Sequence, residues 1–197
     1  MEQARPNIKI VFIGDSSVGK SSIVVKYNTK TFSTNIQPTV NAAFVTQIYP
    51  TSLGELELRI WDTAGQEAYH SLAPIYFQNS SIAFVVFDIT SRITFSHVEK
   101  WIKLAMEHGE ENIVTVVLAN KADLESERQV RSEEYEEISK KYNVTVIETS
   151  AVTGLGLDVM FEKAIDMLLK KDQSLAFRLH MASLEGNKLQ TKSNSCC

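Results

Sequence analysis

The sequence has 197 residues, 44% hydrophobic and 22% charged, enough for one domain with a closed core and a short appendage. Its 20 basic against 24 acidic residues give a net charge of −4, which argues against nucleic-acid binding, because that needs a basic face to neutralise phosphates. No run of about 18 apolar residues offers a bilayer span, residues 1–7 hold no apolar signal core, and Glu2 stands where N-myristoylation needs glycine, so the body is expected in the cytosol. Both cysteines, Cys196 and Cys197, stand side by side at the end, leaving the body without a disulfide framework or a thiolate metal site.

In chain order, short apolar runs alternate with helical periodicity, the pattern of a parallel sheet covered by helices. The first run, IKIVFI at 8–13, is continuous in the manner of a strand buried on both faces. Directly after it, GDSSVGKSS at 14–22 fits G-x-x-x-x-G-K-S/T through Gly14, Gly19, Lys20 and Ser21. Such a loop turns successive backbone N–H groups, here those of Ser16, Ser17, Val18, Gly19, Lys20, Ser21 and Ser22, toward phosphate oxygens, and glycine permits the close approach. Lys20 brings a point charge to the β- and γ-phosphates, the Ser21 hydroxyl can complete a Mg2+ shell, and the next helix aims its N-terminus at the same anion. The competing reading is a Gly-rich turn with a surface lysine, which the strand before and the helix after disfavour. A nucleoside triphosphate site follows, with the base still open.

Residues 42–49 and 56–61 flank PTSLG at 50–54; Leu56, Leu58 and Ile60 alternate with Glu57 and Arg59, as in an antiparallel hairpin with one wetter face. After the run IAFVVF at 82–87, Val98, Trp101, Ile102, Ala105 and Met106 share one helical face. The run IVTVVL at 113–118 leads to NKAD, Asn120 to Asp123. A carboxylate at the base edge accepts hydrogen bonds from guanine N1–H and N2–H2 together, donors that adenine lacks there. Alone, NKAD could be a polar turn; its place at the carboxyl end of a strand, where open α/β sheets bind ligands, favours a base site. Ser132 with Glu133 and Glu134 reads as a capped helix start. The strand 144–147 precedes ETSA at 148–151, whose backbone N–H groups could reach the guanine oxygen. Leu157, Met160, Phe161, Ala164, Ile165 and Leu168 form a helix face that ends in Lys170 and Lys171, cations favoured at a helix C-terminus. Beyond about Ser174 the pattern weakens into what reads as a flexible tail.

GDSSVGKS, Thr39 in QPTV, WDTAGQE, NKAD and ETSA, in this order and spacing, resemble the Ras superfamily of small GTPases. Trp61 before DTAGQ, the stretch YHSLAPIYF and the paired cysteines resemble Rab proteins, HSLAP being closest to the endosomal branch. The resemblance covers residues 8 to about 171. It implies a P-loop small-GTPase fold of class α/β: a six-stranded, mostly parallel sheet with one antiparallel strand and helices on both faces. The expected division is an N-terminal extension at 1–7, a GTPase domain at 8–173 and a flexible tail with a lipidation site at 174–197.

The same resemblance implies residue roles. GTP or GDP would bind with Mg2+, held by Ser21, Thr39 and, through water, Asp62. Thr39 and the Gly65 N–H would touch the γ-phosphate, and Gln66 would orient the attacking water, with Lys20 the second catalytic group. Phe32 would lie across the guanine edge, although by spacing alone it could equally anchor its loop in the core. Asn120 and Lys121 would brace the loops beside Asp123, and Ser150, Ala151 and Val152 would follow the base oxygen. Phe44, Trp61 and Tyr76 could be core, but in the resemblance they form the aromatic patch that effectors touch. Asn41, Ala68 and Val152 depart from the Gly, Arg and Lys usual in the family. The first two put partner choice in doubt, whereas Val152 removes a lysine stem near the base.

The implied protein is a monomer that hydrolyses GTP and cycles between GTP and GDP states in vesicle traffic of endocytic type. Its implied partners are an exchange factor, a GTPase-activating protein, an escort protein, a GDP dissociation inhibitor and effectors. Geranylgeranyl groups on Cys196 and Cys197 would hold it on the cytoplasmic face of endomembranes, the endosome foremost, with a cytosolic pool. A nucleotide-loaded scaffold with little hydrolysis is the alternative, and a P-loop kinase is disfavoured by NKAD and DTAGQ. His70, His97, His108 and His180 lack metal-ligand spacing and read as ordinary surface or packing histidines. Glu133, Glu134, Glu136 and Glu137 read as a solvated helix face.

Overall fold

The structure, a computed structural model, describes residues 5–32, 39, 42–63 and 76–193. Its strands are β1 (Asn7–Ile13), β2 (Ala42–Thr51), β3 (Gly54–Thr63), β4 (Ile82–Asp88), β5 (Val114–Asn120) and β6 (Thr145–Thr149). They form one sheet in the order β2-β3-β1-β4-β5-β6, in which β2 pairs antiparallel with β3 and the other pairs are parallel. The helices are α1 (Lys20–Thr29), α2 (Arg92–Ser96), α3 (Val98–His108), α4 (Ser132–Tyr142), α5 (Leu157–Lys171) and α6 (Gln173–Ser193). This is the α/β architecture expected from the alternation of apolar runs and helical stripes.

The two-residue period of the central strands divides the core. Ile8, Ile10 and Phe12 of β1 and Ile82, Phe84 and Val86 of β4 join the apolar faces of α1 and α5. Val11 and Ile13, with Ala83, Val85 and Phe87, face the other way, onto α3 and α4. Phe161 of α5 ties the first layer together: it stacks on Tyr27 at 4.1 Å between ring centroids and meets Phe84 edge-on at 5.4 Å. The described loops after β1, β5 and β6, which carry nucleotide motifs, leave the same carboxyl edge of this sheet.

Several boundaries differ from expectation. The hairpin turn shrinks from PTSLG to Ser52 and Leu53, because Thr51 pairs with Gly54 and Pro50 lies inside β2. Proline is tolerated there because β2 is an edge strand, with one side free of ladder bonds. Met106 is exposed, since it falls at the margin of the stripe that buries Val98, Trp101, Ile102 and Ala105. Ser132 is the first residue of α4 rather than its cap; the Glu134 carboxylate accepts the Arg131 N–H at 3.0 Å and so satisfies a donor at the helix start. The expected N-terminal extension reaches into the sheet: Asn7 opens β1, and the Pro6 carbonyl accepts the Glu57 N–H at 2.9 Å.

The largest correction concerns the expected flexible tail, because residues 173–193 are helical. The Asp172 carboxylate accepts the Leu175 N–H at 2.9 Å and caps α6. Leu175 and Leu179, one helical turn apart, are 2% and 0% exposed and complete the core layer of α1 and α5. Gly54 permits the approach, since a Cβ added there would lie 3.0 Å from the Leu179 carbonyl oxygen. Two leucines in a mixed segment are a weak signal, and the surface that receives them is visible only once the hairpin has folded. Cys196 and Cys197 lie outside the described residues.

Candidate functional site

The loop between β1 and α1 takes backbone conformations that L side chains rarely adopt. Gly14 has φ 137°, Ser17 64° and Gly19 96°. Lys20 is buried, and its Nζ donates to the carbonyls of Gly14 at 2.9 Å and Asp15 at 2.7 Å. Burial lowers its pKa to about 8, with the Asp62 and Asp15 charges pulling the other way. Asn120 braces the far half of the loop: its Nδ2 donates to the Val18 carbonyl at 2.8 Å, while its Oδ1 accepts from Thr149 at 3.2 Å. The near half is tied at Asp15, whose carboxylate accepts the Trp101 indole N–H at 3.0 Å and faces His97 Nδ1 at 2.6 Å.

Beside Lys20, three oxygen-bearing side chains converge. The Ser21 and Thr39 hydroxyls are 2.8 Å apart, and Thr39 donates to Asp62 Oδ2 at 3.5 Å. Asp62 is almost wholly buried, which raises its pKa against the opposing effects of Ser21, Lys20 and Thr39. Its Oδ1 is buried with no hydrogen-bond partner among the described residues. A buried carboxylate oxygen of that kind calls for a partner. Two hydroxyls and one carboxylate are hard donors that suit Mg2+, which binds through few protein ligands and keeps waters and phosphate oxygens around it. No group of three or more His, Cys, Asp or Glu among the described residues offers another metal site. Gly65 and Gln66 lie outside the described residues, as do Asn41, Ala68 and His70.

At the base end, Asp123 accepts the Ser150 hydroxyl at 2.5 Å, and the Ala122 N–H donates to the Thr149 carbonyl at 3.0 Å, so the loops after β5 and β6 are joined. Lys121, at φ 67°, reaches Asp88 with its Nζ 2.6 Å from Oδ2. Ser150 differs from expectation: its own N–H donates to the Leu155 carbonyl at 3.0 Å, so it orients Asp123 instead of facing a base oxygen. Ala151 is buried and Val152 exposed beside it. Phe32 is 40% exposed. Phe44 is 52% exposed and pairs across the hairpin with Trp61, their centroids 5.2 Å apart. Tyr76 and Trp61 both pack at the margin of the core layer under α3.

Motif reading missed Asp15, Asp88, Thr149, His97 and Trp101. Asp88 had a signal, a lone acid closing the apolar run of β4, and Thr149 lies within ETSA. The other three meet across 82 and 86 residues, and nothing local announces the contact.

A phosphate loop, an oxygen-ligand cluster and an acid-bearing loop, all on one carboxyl edge of a parallel sheet, define a P-loop nucleotide-binding protein. The Ras family model matches residues 9–170. The chain is 41% identical over 155 residues to Ras-related protein Rab-31 of Rattus norvegicus, covering 79% of this chain and 80% of that protein. It is 38% identical over 154 residues to Ras-related protein Rab-22A of Canis lupus familiaris, covering 78% and 79%. Over 191 residues it is 35% identical to Ras-related protein RHN1 of Nicotiana plumbaginifolia, covering 97% and 95%. The chain belongs to the Ras family, among its Rab small GTPases. It is accordingly a GTP hydrolase that regulates membrane traffic and works with regulator or effector partners.

Proposed function

We propose that the protein is a Mg2+-dependent switch that cycles between a GTP-bound, membrane-attached, effector-binding state and a GDP-bound state, and that it acts in endocytic traffic at the endosome, with a cytosolic pool. The observation that carries this reading is the cluster of Ser21, Thr39 and the buried Asp62 beside Lys20, with Asp62 Oδ1 left without a partner among the described residues. Ser21 and Thr39 would hold the metal, with Asp62 reaching it through water; when bound, Mg2+ would supply positive charge against the nucleotide's phosphates. The N–H groups at 16–22 cradle the phosphates, Lys20 sets a charge against them, and Gln66 orients the attacking water. Loss of the γ-phosphate releases Thr39 and Gly65, and partners read the relaxation of their segments through Phe44, Trp61 and Tyr76.

Asp123, oriented by Ser150, reads guanine; Ala151 and Val152 turn N–H groups to the base oxygen, Phe32 covers the base edge, and the Lys121 stem lies along it. Asn120 joins the base and phosphate loops. An exchange factor, a GTPase-activating protein, an escort protein and a GDP dissociation inhibitor serve the cycle. No helix among the described residues is long and apolar enough to cross a membrane. Membrane attachment is assigned to geranylgeranyl groups on Cys196 and Cys197, because two lipid chains anchor stably where one binds only marginally. The endocytic assignment rests on HSLAP.

Fractionation of cells tests the switch and the anchor together. Gln66→Leu, blocked in hydrolysis, is expected in the membrane fraction. Ser21→Asn, which spoils the metal site, is expected in the cytosol. The Cys196→Ser/Cys197→Ser protein is expected in the cytosol with nucleotide binding intact, and its retention on membranes would defeat the anchor.

Lys20 adds a pH signature. With a pKa of about 8 in the protein alone and a higher one against bound phosphates, nucleotide binding takes up a proton above that pH. Affinity for GDP is therefore nearly full at pH 7 and falls as the pH rises through 8, by about fourfold between pH 7 and 8.5. Titration calorimetry at the two pH values in buffers of different ionisation enthalpy checks this; a pH-independent affinity without proton uptake contradicts it.

A further inference from the structure

We propose that His97 and Trp101 are positioning residues for the phosphate loop, acting through the Asp15 carboxylate. The inference rests on the reading of 14–22 as the phosphate cradle and deepens it.

Asp15 joins two systems. Its carbonyl accepts Lys20 Nζ at 2.7 Å, while its carboxylate accepts the Trp101 Nε1–H at 3.0 Å and meets His97 Nδ1 at 2.6 Å. Both partners come from one helical face: His97 immediately precedes α3, and Trp101 lies four residues on, its N–H donating to the His97 carbonyl at 3.2 Å. Trp101 is also fixed by the core layer it shares with Val98 and Ile102, so it serves as a rigid post.

Two physical problems make this tie useful. Backbone at φ 137°, 64° and 96° persists only where its surroundings over-determine it, and Asn120 restrains only the Val18–Gly19 half. Asp15 restrains the other half. The second problem is charge. A carboxylate in a loop built for phosphates repels its ligand unless donors hold it aside, and hydrogen bonds to a charged acceptor are the stronger kind. Trp101 and His97 draw the carboxylate to α3 and leave the Asp15 carbonyl on Lys20.

The test is the rate of GDP release, followed with a fluorescent GDP analogue. Trp101→Phe keeps an aromatic side chain and deletes the N–H; His97→Ala deletes the second partner. Each is expected to speed release about tenfold, the lower end of the range for loss of one hydrogen bond to a charged group. His97→Asn, which returns a donor near the Nδ1 position, is expected to restore the wild-type rate. In an Asp15→Ala background neither Trp101→Phe nor His97→Ala should add anything, since the shared acceptor is gone. Wild-type release rates in both single variants overturn the proposal, as does an undiminished acceleration in the Asp15→Ala background, which would mark lost packing. If Trp101→Phe does not fold, the His97 arm decides alone. Lys20→Ala separates the two levels: GDP binding that survives it refutes the cradle itself, whereas loss of binding there, with unchanged release in the α3 variants, refutes only the role of α3.

Discussion

Asp123→Asn is expected to exchange the guanine preference for xanthine. The Asp123 carboxylate is held by the Ser150 hydroxyl at 2.5 Å and still has acceptor capacity for two more donors. Guanine N1–H and N2–H2 are those donors. An amide in the same place turns one acceptor into a donor, which faces the guanine amine and leaves buried polar groups unpaired. Xanthine carries a carbonyl where guanine has the amine and accepts from the new amide. Sites that hydrogen-bond their substrate reject a mismatched analogue by about 10⁴-fold, so the preference between GDP and XDP is expected to swing by that order. Dissociation constants for both nucleotides check it, and undiminished preference for GDP in the variant would remove Asp123 from the base site.

Gly14→Ala is expected to be the most damaging single-methyl change in the nucleotide site. The added Cβ would lie 2.2 Å from the carbonyl oxygen of Val86, part of the backbone of the central strand β4, which has no room to move. Gly14 also stands at φ 137°, which alanine adopts only under strain. Clash and strain together cost about 3–5 kcal/mol, which lowers the melting temperature by roughly 10 °C for a chain of this size. Gly154→Ala is the control: at φ 87°, but with only the Lys26 side chain nearby at 3.7 Å, it carries the strain without the clash and should cost about 1 kcal/mol. Thermal melts of the two variants that coincide would show that φ alone governs the loss.

What the sequence made legible follows from how locally each feature is encoded. Gly14, Gly19, Lys20 and Ser21 act through the backbone of one short loop, so their spacing alone predicts a phosphate cradle. The continuous runs of β1, β4 and β5 announce strands buried on both faces, and the stripe from Leu157 to Leu168 announces α5. The illegible features depend on surfaces that form only after folding. Leu175 and Leu179 mean little until Gly54 brings the hairpin turn beneath them. The sequence points to Ser150 through its backbone, yet the turn to Leu155 takes its N–H and leaves the hydroxyl for Asp123. Asp15 stands at a variable position of the phosphate-loop motif, and His97 reads as a surface or packing histidine, because their contact spans 82 residues.

Competition for the nucleotide site tests the central claim most directly. With Mg2+ present and labelled GDP bound, unlabelled GDP and GTP should displace the label at comparable concentrations, and ATP should fail to do so even at about 10³-fold excess, because it lacks the donors that Asp123 accepts. ATP that displaces GDP on equal terms would contradict the reading of this protein as a guanine-nucleotide switch.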